Sequence, residues 1–223
     1  MTAKPTFSPY GDGAVLVQFE TDGFSREVVD KIHTLRRQLL RFDIWEDLIP
    51  GYDSLLVTFN PVRLDTAVAL SYIEAALENP PDPDALQGRV IDIPVCYGGA
   101  FGPDINTIMD TSGLSETGVI ELHRSQTYLV CMMGFIPGFT FLSEAPKPLH
   151  HPRHDTPRLS VPAGSVGIAG WQTGMYGLES PGGWQIIGRT PVKLFDKDRD
   201  APFHLSAGDS VRFVPIKHED FDA

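Results

Sequence analysis

Apolar and polar residues alternate from Ala14 in the string AVLVQFE, directly after a Gly-Asp-Gly turn, which predicts a half-buried strand. The period then lengthens. Val28, Val29, Ile32, Leu35, Leu39 and Leu40 recur at helical spacing. Ser25 stands where it would cap that helix, and Arg36, Arg37 and Arg41 lie near its carboxyl end, where cations complement the dipole. DSLLVTFN reads as a second strand, stopped by Pro61. A second amphipathic helix is predicted from about Leu64 to Leu77, with Leu64, Val68, Tyr72 or Ile73, and Ala76 or Leu77 on its inner face.

NPPDPDALQG, with its prolines and aspartates, sustains neither a helix nor a ladder and is read as a linker between two structural units. Residues 1–87 then form a small N-terminal α/β domain and residues 88–223 a second, mostly β domain, so the chain as a whole is α+β. Past the linker VIDIPVCY predicts a strand, the stretches around Asp104–Met109 and Glu116–Arg124 predict short helices, and YLVCMM predicts another strand. After Met133 the helical period disappears. SVGIAG, WQIIGR, VKLF and SVRFV are short β-type runs between Gly- and Pro-rich turns, the pattern of an antiparallel barrel or sandwich.

A chain of 223 residues with 42% hydrophobic content can bury a core in each domain without staples. Its two cysteines, Cys96 and Cys131, match no paired redox or metal spacing, which points to a reducing compartment. The opening MTAKPTFSPYGDG lacks the basic start and apolar run of a signal peptide, and no apolar segment reaches spanning length, so a cytoplasmic location is expected. A net charge of −11 repels phosphate backbones and anionic lipid, which argues against nucleic acid and membrane as partners.

Several motif fragments fail on inspection. GDGAVL at Gly11 resembles the start of a dinucleotide fingerprint, but Leu16 replaces the third glycine and a strand follows. AGSVG around Ser165 has Ala163 in the first glycine position of a nucleophile elbow and lies in a β pattern, so Ser165 is read as structural. His150, His151 and His154 in HHPRH fall in a Pro-rich loop that fixes no coordination geometry, and no metal is expected. The chain holds no Walker A string, so it does not grip ATP in that way.

Candidate chemistry concentrates between Gly134 and Thr190, in GFIPGFTFL, TPRLSVPAGSVGIAGWQTGMY and SPGGWQIIGRTP. Gly134 and Gly138 flank Pro137 in a turn expected to present Phe135, Phe139 and Phe141 to one apolar surface, and their bare backbone would admit a ligand or another chain closely. Arg158 and Arg189 are fork-shaped donors among turn residues, suited either to an anionic ligand or to a salt bridge with one of the many acidic side chains. Gln172, Thr173 and Tyr176 offer neutral partners for an amide or for a turn. His123 ends the SETGVIELHRSQ helix, where the dipole would favour its protonated form.

These strings, together with GDGAVLVQF, YDSLLVTFNP, IDIPVCYGG and the isolated His123 before a Tyr-x-Val strand, resemble the family that includes the 5-oxoprolinase B-subunit, allophanate hydrolase subunit 1 and the sporulation-kinase inhibitor Kip. The resemblance runs over nearly the whole chain. It implies a C-terminal cyclophilin-like barrel, a stable partner related to the 5-oxoprolinase C-subunit, and a third chain, the A-subunit, that completes ATP-dependent opening of the 5-oxoproline lactam to glutamate. ATP, with Mg2+, would be consumed by the complex, with no cofactor tightly bound to this chain. A lactam is a poor electrophile whose oxygen would be phosphorylated before water attacks, and cations would be needed beside it. Arg158 and Arg189 match the family's Pro-Arg and Gly-Arg-Thr-Pro positions and are expected at the catalytic site with His123. Gln172, Thr173, Tyr176, Gly134 and Gly138 are expected to contact a lactam or amide substrate. The resemblance leaves two other functions open: a regulator that inhibits a sensor histidine kinase, and the carboxyltransferase half of a biotin-dependent urea or allophanate enzyme. Gly177, where the family has proline after the tyrosine, and the large Trp171 bear on the shape of the pocket.

Overall fold

The computed structural model describes residues 4–79 and 88–221. The chain divides into two compact units, Met1–Gly88 and Arg89–Ala223. Most of the predicted linker, residues 80–87, lies outside the described residues.

In the first unit the predicted strand is β2 (Ala14–Phe19), preceded by β1 (Pro5–Pro9) and followed by α1 (Arg26–Leu39), β3 (Asp47–Pro50), β4 (Ser54–Thr58) and α2 (Thr66–Glu78). The sheet runs β1-β2-β4-β3 and is antiparallel throughout. Val15, Val17, Leu55 and Val57 face Ile32, Leu35, Leu39 and Ile73 in one core, the apolar faces of the strands meeting those of the helices. Ser25 caps α1 as expected, accepting from the Val28 amide at 3.3 Å.

Two details differ from expectation. Asp65 caps α2 by accepting from the Ala67 amide at 2.7 Å, which starts the helix later and turns Ala69 and Ile73 inward while Val68 is 45% exposed. Leu40 closes α1 from outside it and is likewise exposed rather than inward.

The second unit comprises β5 (Val90–Tyr97), α3 (Ile105–Ser112), α4 (Glu116–Arg124), β6 (Tyr128–Met133), β7 (Thr140–Glu144), β8 (Arg158–Val161), β9 (Ser165–Ala169), β10 (Gln172–Met175), β11 (Ser180–Gly182), β12 (Gln185–Arg189) and β13 (Ser210–Pro215). Seven strands close a barrel in the order β10-β7-β6-β13-β5-β12-β9, and β8 and β11 form a separate two-stranded ribbon. All barrel pairs are antiparallel except β13 beside β5, which join the last strand to the first in parallel. Inside it pack Ile93, Val95, Val130, Leu142, Val166, Ile168, Met175 and Ile187. Every one of β9's residues is buried, Ser165 included, so this strand shows no alternation of buried and exposed positions.

VKLF forms no strand. Pro191 removes a donor at its start, Lys193 ties to Asp196 at 3.0 Å, and the segment makes only the isolated bridge Phe195 to Phe203.

Candidate functional site

His123 sits in the last turn of α4, fully buried. Its Nδ1 lies 2.9 Å from the Tyr97 hydroxyl on β5 and its Nε2 lies 2.9 Å from Thr173 Oγ1 on β10, while Phe213 of β13 stacks on the ring at 4.6 Å. Burial pushes its pKa down to about 3. The expected protonation by the helix dipole is therefore corrected: a helix terminus supplies at most about 2 kcal/mol, whereas an unpaired buried cation costs several. His123 is neutral.

Arg158, the first residue of β8, meets Asp104. One terminal nitrogen lies 2.5 Å from Asp104 Oδ1 and the other donates to His154 Nε2 at 2.9 Å. Asp104 precedes α3 yet makes no side-chain cap to it; its Oδ2 accepts instead from the buried Ile186 amide at 2.7 Å. Of the two readings for Arg158, the salt bridge is the one realised.

Arg189 ends β12, paired in register with Ser165 on β9 and Cys96 on β5. Its Nε donates to the Ala163 carbonyl at 2.8 Å, and its guanidinium carbon stands 5.5 Å from the centre of the Phe221 ring. No carboxylate pairs with it among the described residues. It lines a cavity of about 330 Å³ with Gly164, Gly177, Thr190, Lys193 and Phe221.

The neutral candidates do not converge. Thr173 is buried with His123; Gln172 is half-buried at the start of β10; Tyr176 is buried, its ring against Phe139 at 4.8 Å and its hydroxyl pushed up by burial. Gly138 adopts φ +75°, and a Cβ there would stand 2.7 Å from that of Phe195, so this turn requires glycine. Gly134 has open space around it. Phe139 is buried and Phe141 half-buried as expected, but Phe135 is 67% exposed at φ +68°, a left-handed conformation unusual for a bulky residue. The turn lines a second cavity of about 320 Å³ with Met133, Ile136 and Phe203.

Four residues at these sites escape a reading of the sequence: Asp104, Tyr97, Lys193 and Phe221. Asp104 carries a signal, since Pro-Asp before a short helix marks a cap, but the signal names the wrong partner. Among the described residues no set of three His, Cys, Asp or Glu side chains is placed to hold a metal ion, and no helix is long and apolar enough to cross a membrane. Cys96 and Cys131 are buried and form no disulfide.

Residues 5–205 match the family model described as carboxyltransferase domain, subdomain C and D. The chain is 44% identical over 209 residues to the 5-oxoprolinase B-subunit of Escherichia coli O157:H7, covering 93% of this chain and 94% of that protein. It is 36% identical to the 5-oxoprolinase B-subunit of Bacillus subtilis strain 168, across 100% of this chain and 98% of that one. Among solved structures, TTHA0988 superposes with a TM-score of 0.80 at 36% identity over 92% of this chain, which spans only 40% of that longer polypeptide.

Proposed function

This chain belongs to the carboxyltransferase-domain family of subdomains C and D, and on that premise we propose that it is the B-subunit of an ATP-dependent 5-oxoprolinase, opening 5-oxo-L-proline to L-glutamate together with C-subunit and A-subunit partners. The supporting observation is the match to a relative of that name, 44% identical over 93% of this chain and 94% of the relative. Since the likeness runs through both domains, this chain would contribute what that relative contributes.

The geometry divides labour among the residues. Arg189 is the cation proposed to meet the substrate, since its terminal nitrogens meet no carboxylate among the described residues and its Nε is already held by the Ala163 carbonyl. Arg158 is proposed as a positioning residue, because Asp104 and His154 hold its fork. His123, neutral with both ring nitrogens engaged, is proposed to hold β10 in place beside Tyr97 rather than to carry protons. ATP fits poorly against the Arg189 cavity: Arg189 and a lysine that shares Asp196 with Arg199 do not balance a triphosphate. Its use is therefore assigned to the complex as a whole.

Co-expression with a C-subunit homologue, followed by addition of an A-subunit homologue, tests this directly. Glutamate release from 5-oxoproline that requires ATP and all three chains is the expected result. A stable complex that releases none, or that transfers a carboxyl group through biotin instead, overturns it, as does inhibition of a sensor kinase by the isolated chain with no lactamase in the mixture.

A further inference from the structure

We propose that the cavity beside Arg189 is a subsite for one carboxylate of a small organic acid, gripped end-on by the two terminal nitrogens of the guanidinium. The identification of that acid as 5-oxoproline or its product rests on the reading above; the carboxylate class rests on the guanidinium's geometry and the lining of the cavity alone.

The chain carries 29 acidic residues against 18 basic ones, so an arginine in it should find a carboxylate wherever geometry allows. In the barrel unit Arg89, Arg124, Arg158, Arg199 and Arg212 each do. Among the described residues Arg189 finds none. Its surroundings nevertheless fix it more firmly than a solvated arginine: the backbone is held in register between β9 and β5, Nε is committed to the Ala163 carbonyl, and the guanidinium carbon lies 5.5 Å from the centre of the Phe221 ring. Phe221 is itself backed by Phe101, ring to ring at 4.2 Å. What remains of the fork is its outer edge, whose two parallel N–H bonds match the two oxygens of a carboxylate.

The fork edge and the lining favour a carboxylate over phosphate. Lys193 lines the same cavity but lies 3.0 Å from Asp196, a carboxylate that Arg199 also reaches at 3.3 Å, so Arg189 is the cation of the wall that finds no carboxylate among the described residues. The one open edge of the guanidinium matches the two oxygens of a carboxylate, whereas a polyphosphate would bring several further negative charges into a protein already at −11. The rest of the wall suits the carbon skeleton of such an acid. Val192, Leu194 and Pro191 supply apolar surface, and Gly164 and Gly177 expose bare backbone. Preorganisation favours the site, because the Nε bond to the Ala163 carbonyl already anchors the guanidinium before the ligand arrives.

The test is a titration of the full chain, following the amide resonances of Gly164 and Gly177, with L-5-oxoproline, L-glutamate, acetate and inorganic phosphate as separate probes. Carboxylates should shift those resonances saturably, and Arg189→Gln should weaken that binding about tenfold or more, the effect expected when a charged hydrogen-bond pair is lost. Arg153→Gln, which removes the other barrel arginine without a carboxylate partner among the described residues, should leave binding unchanged. Carboxylate binding indifferent to Arg189→Gln, no binding by any probe, or binding of phosphate in preference to every carboxylate overturns the proposal. Its fate is separable from that of the function. A three-subunit lactamase insensitive to Arg189→Gln refutes the subsite and spares the activity, whereas Arg189-dependent binding of acetate and glutamate in an assembly inert toward 5-oxoproline refutes the activity and spares the subsite.

Discussion

The hydroxyl of Thr173 donates to the Gly167 carbonyl at 3.0 Å and therefore has only lone pairs to offer the ring of His123, 2.9 Å away. A hydroxyl carries one proton. Nε2 of His123 must then bear the ring proton, Nδ1 must accept from the Tyr97 hydroxyl, and the chain of bonds runs in one direction from Tyr97 through His123 and Thr173 to Gly167. Nitrogen-15 spectra should show His123 as the neutral Nε2–H tautomer at pH 7. Thr173→Val should strand that proton in a buried site and destabilise the barrel by about 1–3 kcal/mol, while Thr173→Ser, which keeps the acceptor, should cost much less.

Burial of the same ring makes stability depend on pH. The unfolded chain takes up a proton on His123 near its ordinary pKa of 6.5, but the folded chain resists until about 3. Between those values the unfolded state binds more protons, so stability is full above pH 6.5 and falls as the pH drops toward 3, by up to about 1.4 kcal/mol per pH unit from this group. In His123→Gln, whose amide can still donate and accept, that contribution disappears. Urea unfolding at pH 7 and pH 5, followed by Trp171 and Trp184 fluorescence in a Trp45→Phe background, gives the comparison. Equal pH slopes in the two proteins would show that His123 is not the group responsible.

Much of the barrel was legible because its strands announce themselves locally. VIDIPVCY and YLVCMM became β5 and β6 residue for residue, and the capping serine and the apolar period of α1 agreed. What stayed hidden depends on distance in sequence. Pro5–Pro9 carries two prolines and reads as coil, yet β2 offers it an edge on which to pair. Nothing near Asp104 tells that its carboxylate will reach the Ile186 amide, 82 positions away, instead of its own helix. The same holds for His123: its helix-end position is visible in the sequence, but the desolvation that neutralises it comes from strands brought together only by barrel closure.

Asp104 and Arg158 should behave as structure where Arg189 behaves as a binding group. Asp104→Ala leaves the buried Ile186 amide without its side-chain acceptor and frees Arg158, at a cost of about 2–3 kcal/mol. Asp104→Asn retains an acceptor for that amide and should recover part of the loss. Arg158→Ala is milder, about 1 kcal/mol, because its side chain is one-third exposed at 32% and the pair is partly screened. Arg189→Ala should leave the melting temperature nearly unchanged while lowering turnover in the assembled complex. Thermal unfolding of the free chains beside kcat and KM of the complexes separates the two kinds of effect.

Two glycines that look alike in the sequence should respond oppositely to alanine. A Cβ on Gly102 would fall 2.1 Å from the Ile187 carbonyl oxygen and 2.6 Å from the Gly98 nitrogen, backbone atoms that cannot swing aside. Gly102→Ala must push the start of α3 off β12, loosening the Asp104 amide from the Ile186 carbonyl as well, and should destabilise the barrel by about 3 kcal/mol, at the upper end for overpacking. Gly134 meets nothing within 4 Å, so Gly134→Ala should stay within about 0.5 kcal/mol of the parent. That neutrality makes Gly134 informative for function. It neighbours the exposed, left-handed Phe135, and a methyl group there can matter only to something that approaches from outside this chain. Weaker assembly with the C-subunit homologue at unchanged stability would place the partner on that turn; wild-type assembly and turnover would remove Gly134 from both the interface and the site.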